Sequence, residues 1–271
     1  MRLRQDAGDT DARDYDIAHE VRVVDAAARA AGGGPIHLVG HSFGGTVALA
    51  AALAGRFQLS SLSLFEANPI TVLRHHGHGT LHDQTLRMAQ EFERAVQAQE
   101  RDAAGRIIDF WGAVGDFAAM PEPVRDYCRR TVGANRLDWR AAFAFDLDGA
   151  ALSRLDVPVL LVRGERATAA MVAMTEVLGA KLPRVRTEVV AGAGHFLVSS
   201  HAAACAALLG RHLLAAGPGA CRPWAAQAWR IDRRRRSSPT SIIQHRTGSM
   251  PKAGATTAPA SHAGSPDRRS V

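Results

Sequence analysis

One short segment constrains the fold of this 271-residue chain more than any other. Residues 35–45 read Pro-Ile-His-Leu-Val-Gly-His-Ser-Phe-Gly-Gly, which contains Gly-x-Ser-x-Gly between an apolar run and an alanine-rich run. The apolar run is typical of a short buried strand and the alanine-rich run of a helix. A sharp turn between two such elements lifts the serine hydroxyl out of the sheet. Ser42 is therefore a candidate nucleophile.

The glycines around Ser42 have a predicted steric role. Side chains at Gly40 and Gly44 are expected to collide with the neighbouring strand and helix, so both positions favour glycine. The N-terminus of the following helix directs backbone N–H groups toward the serine. Such groups stabilise the negative charge that develops during acyl transfer.

Strands and helices alternate along the chain on both sides of a long insertion. Strands are predicted at 36–39, 61–65, 157–162 and 186–190, and helices at 17–31, 46–54 and 202–216. This alternation is typical of an α/β protein with a parallel sheet. Residues 71–150 interrupt it, and the spacing of their apolar side chains favours helices. The insertion is therefore predicted to be a helical cap.

These patterns divide the chain into four predicted parts. Residues 1–70 form the first part of the core, with the serine turn, and residues 71–150 form the cap. Residues 151–215 complete the core, and residues 216–271 form a basic tail. That tail holds ten of the 33 Lys and Arg residues and two of the 26 acidic residues, which leaves residues 1–215 nearly neutral. Its polar composition predicts disorder.

A second segment, Gly192-Ala193-Gly194-His195-Phe196, follows the last predicted strand. Together with the Gly-His-Ser-Phe-Gly turn, it makes the chain resemble the α/β-hydrolase superfamily over about residues 15–215. The resemblance implies a mostly parallel sheet flanked by helices, with His195 as the general base for Ser42. It also implies that the Phe43 N–H is one oxyanion donor. No cofactor or metal is needed for this chemistry.

The sequence offers several candidates for the carboxylate that would orient His195. Many relatives have an aspartate at a position that Ala167 occupies here. Other relatives place the acid after the strand that follows the nucleophile helix, and that position is Glu66. Glu66 is the favoured candidate, while Glu165, Asp148, Asp156 and no acid at all remain alternatives.

The resemblance also implies a second oxyanion donor, from a loop after a strand well upstream of Ser42. Only 35 residues precede Ile36, and they contain no such loop. The chain is therefore expected to be N-terminally truncated, with an apolar sheet edge exposed at Ile36. The predicted function is hydrolysis of an ester-like or other small, apolar carbonyl substrate through an acyl-enzyme. The alternative is a catalytically impaired or fragmentary relative that binds a ligand or a partner.

Three weaker signals bear on partners and location. The arginine block at 233–236 could contact nucleic acid or an anionic membrane. A solvated, disordered segment is the favoured interpretation, and no nucleic-acid partner is expected. The histidines at 75, 76, 78 and 82 lack the companion ligands of a metal site, so no metal site is expected in this segment. The three cysteines lie far apart in the chain, and the sequence has neither a signal peptide nor a membrane span. These features predict a cytoplasmic protein. The sequence leaves its oligomeric state open.

Overall fold

A computed structural model describes residues 15–217 of the chain. Its centre is a parallel sheet of four strands in the order β1-β2-β3-β4. The strands are β1 Ile36–His41, β2 Leu59–Phe65, β3 Val159–Gly164 and β4 Val185–Val190. All four predicted strands are present, each with bounds shifted by one or two residues at one end or both. The prediction of a parallel α/β sheet is confirmed.

Helices cover both faces of the sheet. The core helices are α1 Ile17–Ala30, α2 Phe43–Ala54, α9 Ala169–Lys181, α10 Leu197–Ser200 and α11 Ala202–Ala216. Side chains alternate along β3, so Val159 and Leu161 pack with α2 and α9, while Leu160 and Val162 pack with α10 and α11. This two-sided burial explains why the central strands are apolar without interruption.

Local sequence sets the helix ends near the site. Asp16 caps α1, because its carboxylate accepts a hydrogen bond from the His19 N–H at 3.1 Å. Gly32 and Gly33 end the same helix with φ values of 101° and 69°. Helix α2 begins at Phe43 rather than at Thr46 as predicted, because the N–H groups of Gly45 and Thr46 already donate to the Ser42 carbonyl.

The insertion between β2 and β3 is helical, as the apolar spacing predicts. It contains α3 Thr71–His75, α4 Gly79–Gln97, α5 Gly105–Trp111, α6 Asp116–Ala119, α7 Glu122–Ala144 and α8 Gly149–Leu152. Pro121 and Pro123 mark the start of α7, where proline is tolerated. The division of the chain at residues 70, 150 and 215 stays a prediction. The predicted tail beyond Gly217, with Cys221, lies outside the described residues.

Strand β1 lies at one edge of the sheet. Among residues 15–217, no strand pairs with its outer side, and Val39 on this strand is 43% exposed. A groove of about 730 Å³ runs between β1 and α1 and reaches Ser42. The apolar edge expected at Ile36 is therefore present in this part of the chain. Within the same residues, no helix is long and apolar enough to cross a membrane.

Candidate active site

Ser42 lies in the sharp turn between β1 and α2. Its backbone is held at φ 54° and ψ −129°, a strained conformation for a residue other than glycine. The Ser42 N–H donates to the Phe65 carbonyl at 3.0 Å, which fixes the turn to the end of β2. A Cβ atom on Gly40 would lie 2.3 Å from the Gly44 carbonyl oxygen, so the turn requires glycine there.

The steric role predicted for Gly44 is wrong. A Cβ atom on Gly44 would meet nothing within 4 Å, because this residue faces open space. The close approach occurs one residue later, where a Cβ atom on Gly45 would lie 2.6 Å from the Ala67 Cβ. Gly45 thus permits α2 to pass close to the segment that follows β2.

His195 lies in the loop after β4, with its imidazole against Ser42. The Nε2 atom is 3.0 Å from Ser42 Oγ, and the residue is 3% exposed. A Cβ atom on Gly164 would lie 2.3 Å from the Ala193 carbonyl oxygen, so the loop packs directly on the end of β3. This contact holds His195 above the carboxyl ends of the strands.

Glu66 lies at the carboxyl end of β2 and completes a chain of hydrogen bonds. Its backbone has a positive φ of 43°, which is uncommon for a residue other than glycine. One carboxylate oxygen accepts the Nδ1–H of His195 at 2.7 Å, and the other accepts the Gly164 N–H at 2.7 Å. Both oxygens are therefore held in place, and the carboxylate is fully buried.

The alternative carboxylates occupy other places. Glu165 accepts a hydrogen bond from the Gly192 N–H at 2.7 Å and so supports the loop that carries His195. Asp148 caps α8 through the Ala151 N–H at 2.9 Å. Asp156 lies 3.7 Å from Arg184 at the surface. Of these candidates, the structure brings Glu66 to His195.

His41 also belongs to this site, although the sequence analysis did not select it. Its Nε2–H donates to the His195 carbonyl at 2.8 Å, and the two rings lie 5.0 Å apart. Burial, followed by the nearby His195, lowers the pKa of the His41 imidazole below its ordinary value. The neutral His41 thus joins the serine turn to the histidine loop. Nothing in the sequence reveals this contact, because residue 41 is a variable position of the motif.

A cavity of about 620 Å³ opens above Ser42 and His195. Two tryptophans of the insertion stack in its wall, with the rings of Trp111 and Trp139 6.2 Å apart and nearly parallel. Trp111 also stacks on His195 at 5.4 Å and is 2% exposed. The insertion thus shields the histidine from water, which strengthens electrostatic interactions in the site.

The Phe43 backbone is placed to act on an anion at the serine. Phe43 is the first residue of α2, so its N–H has no partner within the helix. The resemblance implies a second donor from a loop upstream of β1. Between residues 15 and 35 the structure contains α1 and a glycine turn, and no strand followed by such a loop.

The histidine-rich segment does not form a cluster with metal-binding geometry. His75 Nε2 lies 2.5 Å from Asp146, and His82 Nδ1 lies 3.1 Å from Asp83. Among residues 15–217, no three His, Cys, Asp or Glu side chains converge on one point. His75 and His82 each pair instead with a single carboxylate of the insertion.

The parallel sheet, with Ser42, His195 and Glu66 at its carboxyl ends, defines an α/β hydrolase by its fold. The sequence model described as the alpha/beta hydrolase family matches residues 2–208. The chain therefore belongs to the alpha/beta hydrolase family. No curated protein matches it.

Several solved structures share this fold. An esterase from Exiguobacterium antarcticum is 19% identical, with 74% of this chain and 75% of that chain covered at a TM-score of 0.56. Est816, described as an N-acyl homoserine lactone degrading enzyme, is 18% identical over 76% and 78% of the two chains, with a TM-score of 0.56. MenH from S. aureus is 16% identical, with 74% of this chain and 76% of that chain covered at a TM-score of 0.54.

Proposed function

We propose that this chain hydrolyses carboxylic esters with apolar groups by covalent catalysis through Ser42. The observation that carries the proposal is a continuous series of hydrogen bonds, which joins Ser42 Oγ to His195 Nε2 and His195 Nδ1 to Glu66. A hydroxyl, an imidazole and a carboxylate in this order form an activated nucleophile. The apolar cavity above Ser42 supports an apolar substrate.

In the first half of the reaction, Ser42 Oγ attacks the ester carbonyl while His195 Nε2 takes the hydroxyl proton. Glu66 accepts the Nδ1–H of His195, which leaves Nε2 free to receive that proton. The Phe43 N–H donates to the oxyanion of the tetrahedral intermediate. His195 then returns the proton to the leaving alcohol oxygen as the ester C–O bond breaks, and an acyl-Ser42 ester remains.

In the second half, water replaces the alcohol. His195 Nε2 removes a proton from the water as its oxygen attacks the acyl-Ser42 carbonyl. When this second tetrahedral intermediate collapses, the Ser42 oxygen leaves with the proton from His195. The product is a carboxylic acid, and the free serine is restored. Glu66 stabilises the imidazolium in both halves because it lies against Nδ1 and is buried.

Two of the compared structures support an ester as the substrate class. One is named an esterase and another is described as degrading a lactone, which is a cyclic ester. Because their sequence identity to this chain is low, the likeness establishes the fold alone. The hydrogen bonds that join Ser42, His195 and Glu66 therefore carry the argument.

A fluorophosphonate probe tests the nucleophile directly. Incubation with the full chain should label Ser42, as mapped by mass spectrometry of the digest. Ser42→Ala should abolish the label, and His195→Ala should slow labelling by about 10³-fold or more, since the base is lost. Ser199→Ala is the matched control, because Ser199 lines the same cavity, and it should label normally. Labelling at another residue, or none on the folded chain, would overturn the proposal.

A second candidate is ligand binding without turnover. The segment before β1 favours it, because residues 15–35 provide no counterpart of the second oxyanion loop. Loss of one such donor costs about 10²–10³-fold in turnover in serine hydrolases. Saturable binding of an ester to a folded chain that the probe leaves unlabelled would support this candidate.

A further inference from the structure

A series of stacked aromatic rings joins His195 to the helical insertion. The Trp111 ring stacks on the His195 imidazole, with the ring centres 5.4 Å apart and 29° between the ring planes. Trp139 lies nearly parallel to Trp111 at 6.2 Å, and Phe143 follows at 6.0 Å from Trp139. Helices α5 and α7 supply these three rings. The insertion therefore contacts His195 through an indole that is itself packed from behind.

The turn between α5 and α6 holds Trp111 in place. Trp111 is the last residue of α5, where the chain leaves the helix. Asp116 accepts a hydrogen bond from the Ala113 N–H at 2.9 Å. Asp109, inside α5, accepts one from the Phe117 N–H at 2.9 Å and so ties the two helices together. The indole is thus presented to His195 from a backbone that is fixed on both sides.

The imidazole of His195 gains a positive charge when it takes the proton of Ser42. This charge arises in a buried site, because His195 is 3% exposed and Trp111 is 2% exposed. The face of an indole attracts a cation that lies within about 6 Å of the ring centre, and the attraction grows when the groups are removed from water. Trp111 satisfies both conditions toward His195.

We propose that Trp111 is a positioning residue, whose indole face stabilises positive charge on His195, including the charge present while the imidazole holds the Ser42 proton. The inference rests on the proposed function, because it takes His195 as the base, and it adds a residue of the insertion to the catalytic machinery. Glu66 contacts the imidazole at Nδ1, whereas Trp111 stacks on its face. The carboxylate and the indole therefore act on the same charge from different sides.

Two substitutions of Trp111 separate the aromatic ring from the space that it fills. Phenylalanine and leucine are closer in size to each other than to tryptophan, but phenylalanine alone keeps an aromatic face. In the full chain, Trp111→Phe should hydrolyse p-nitrophenyl butanoate with a kcat about fivefold or more above that of Trp111→Leu, and with KM values that agree within about threefold. Equal kcat values in folded variants would overturn the proposal. If circular dichroism shows that Trp111→Leu does not fold, Trp111→Met replaces it, because methionine adapts to irregular space without an aromatic ring.

Trp139 provides the matched control. It lines the same cavity, is 8% exposed and stacks on Trp111, which lies between it and His195 in the series of rings. Trp139→Phe and Trp139→Leu should have kcat values within about twofold of each other, because both keep the indole that faces His195. A difference as large as that between the Trp111 variants would reflect general packing of the insertion and would contradict the proposal.

A double-mutant cycle measures the contact without any turnover. Urea unfolding of wild type, Trp111→Leu, His195→Gln and the double variant gives the factor by which the two side chains together raise the folding equilibrium constant. This coupling factor should be about threefold or more larger at about pH 5 than at about pH 8, because an imidazole is more often charged at the lower pH. Glu66 and His41, which also contact His195, are present in all four proteins.

The cycle also distinguishes failure of this inference from failure of the proposed function. If the wild-type chain neither hydrolyses the ester nor reacts with the fluorophosphonate, yet the coupling grows at acid pH, the proposed function fails and the stabilisation of charge by Trp111 stands. A coupling factor that is the same at both pH values would defeat the inference even in an active esterase.

Discussion

Glu66 Oε2 lies 2.7 Å from His195 Nδ1, although the two residues are 129 positions apart in the chain. The contact exists because β2 and β4 end at the same edge of the parallel sheet, separated by β3 alone. The Gly164 N–H at the end of β3 holds the other carboxylate oxygen. The strand between the two residues therefore aligns the acid with the base.

Replacement of Glu66 by glutamine should remove catalysis while keeping the shape of the site. The amide no longer stabilises a charged imidazolium, and its NH2 group can turn toward Nδ1 and favour the wrong tautomer of His195. We expect kcat to fall about 10³–10⁴-fold with a much smaller change in KM. Steady-state assays with a p-nitrophenyl ester of a short-chain carboxylic acid measure both constants.

Glu165→Gln is the matched control for that variant. Glu165 was an alternative acid in the sequence, and it contacts the Gly192 N–H rather than His195. A glutamine oxygen can still accept that hydrogen bond, so kcat should change by less than about tenfold. If Glu165→Gln were as inactive as Glu66→Gln, the assignment of the acid would be wrong.

The glycines of the serine turn should differ sharply in their tolerance of alanine. Gly45→Ala drives a Cβ atom against Ala67 and should lower the free energy of unfolding by about 1–3 kcal/mol. Gly44→Ala meets open space in the first turn of α2 and should be neutral or stabilising by up to about 1 kcal/mol. Urea unfolding followed by circular dichroism compares the free energies of unfolding of the two variants. If Gly44→Ala were the less stable of the two, the turn would be packed differently from the structure described here.

The sequence was sufficient for the elements whose signals are local. The Gly-x-Ser-x-Gly turn, four apolar strands and the helical insertion all depend on short-range pattern, and the parallel sheet follows from their alternation. Glu66 could be favoured because its position follows a strand that ends near the site. Gly45 and His41 were missed because their partners, Ala67 and the His195 carbonyl, are distant in the chain. Contacts of that kind depend on packing that no local pattern records.

His41→Gln should separate a positioning role from a merely structural one. Glutamine keeps an N–H donor that can reach the His195 carbonyl, whereas His41→Ala removes the donor and leaves that carbonyl unpaired in a buried site. We expect His41→Ala to lower kcat about tenfold or more with little change in KM, and His41→Gln to recover most of the loss. Equal kcat values for His41→Ala and wild type would exclude the positioning role.

His41 should also make the stability of the chain depend on pH. Burial depresses its pKa in the folded chain below the ordinary value of 6.5, so the unfolded chain binds a proton more readily. The neutral imidazole therefore contributes its full stability above about pH 6.5, and that contribution is lost as the pH falls toward the folded pKa.

Urea unfolding between about pH 5 and pH 8 should show a steeper loss of stability on the acid side for wild type than for His41→Gln. His76 and His212 shift in the same direction and remain in both proteins, so the difference between the two curves isolates His41. Parallel curves would show that His41 does not stay neutral in the folded chain.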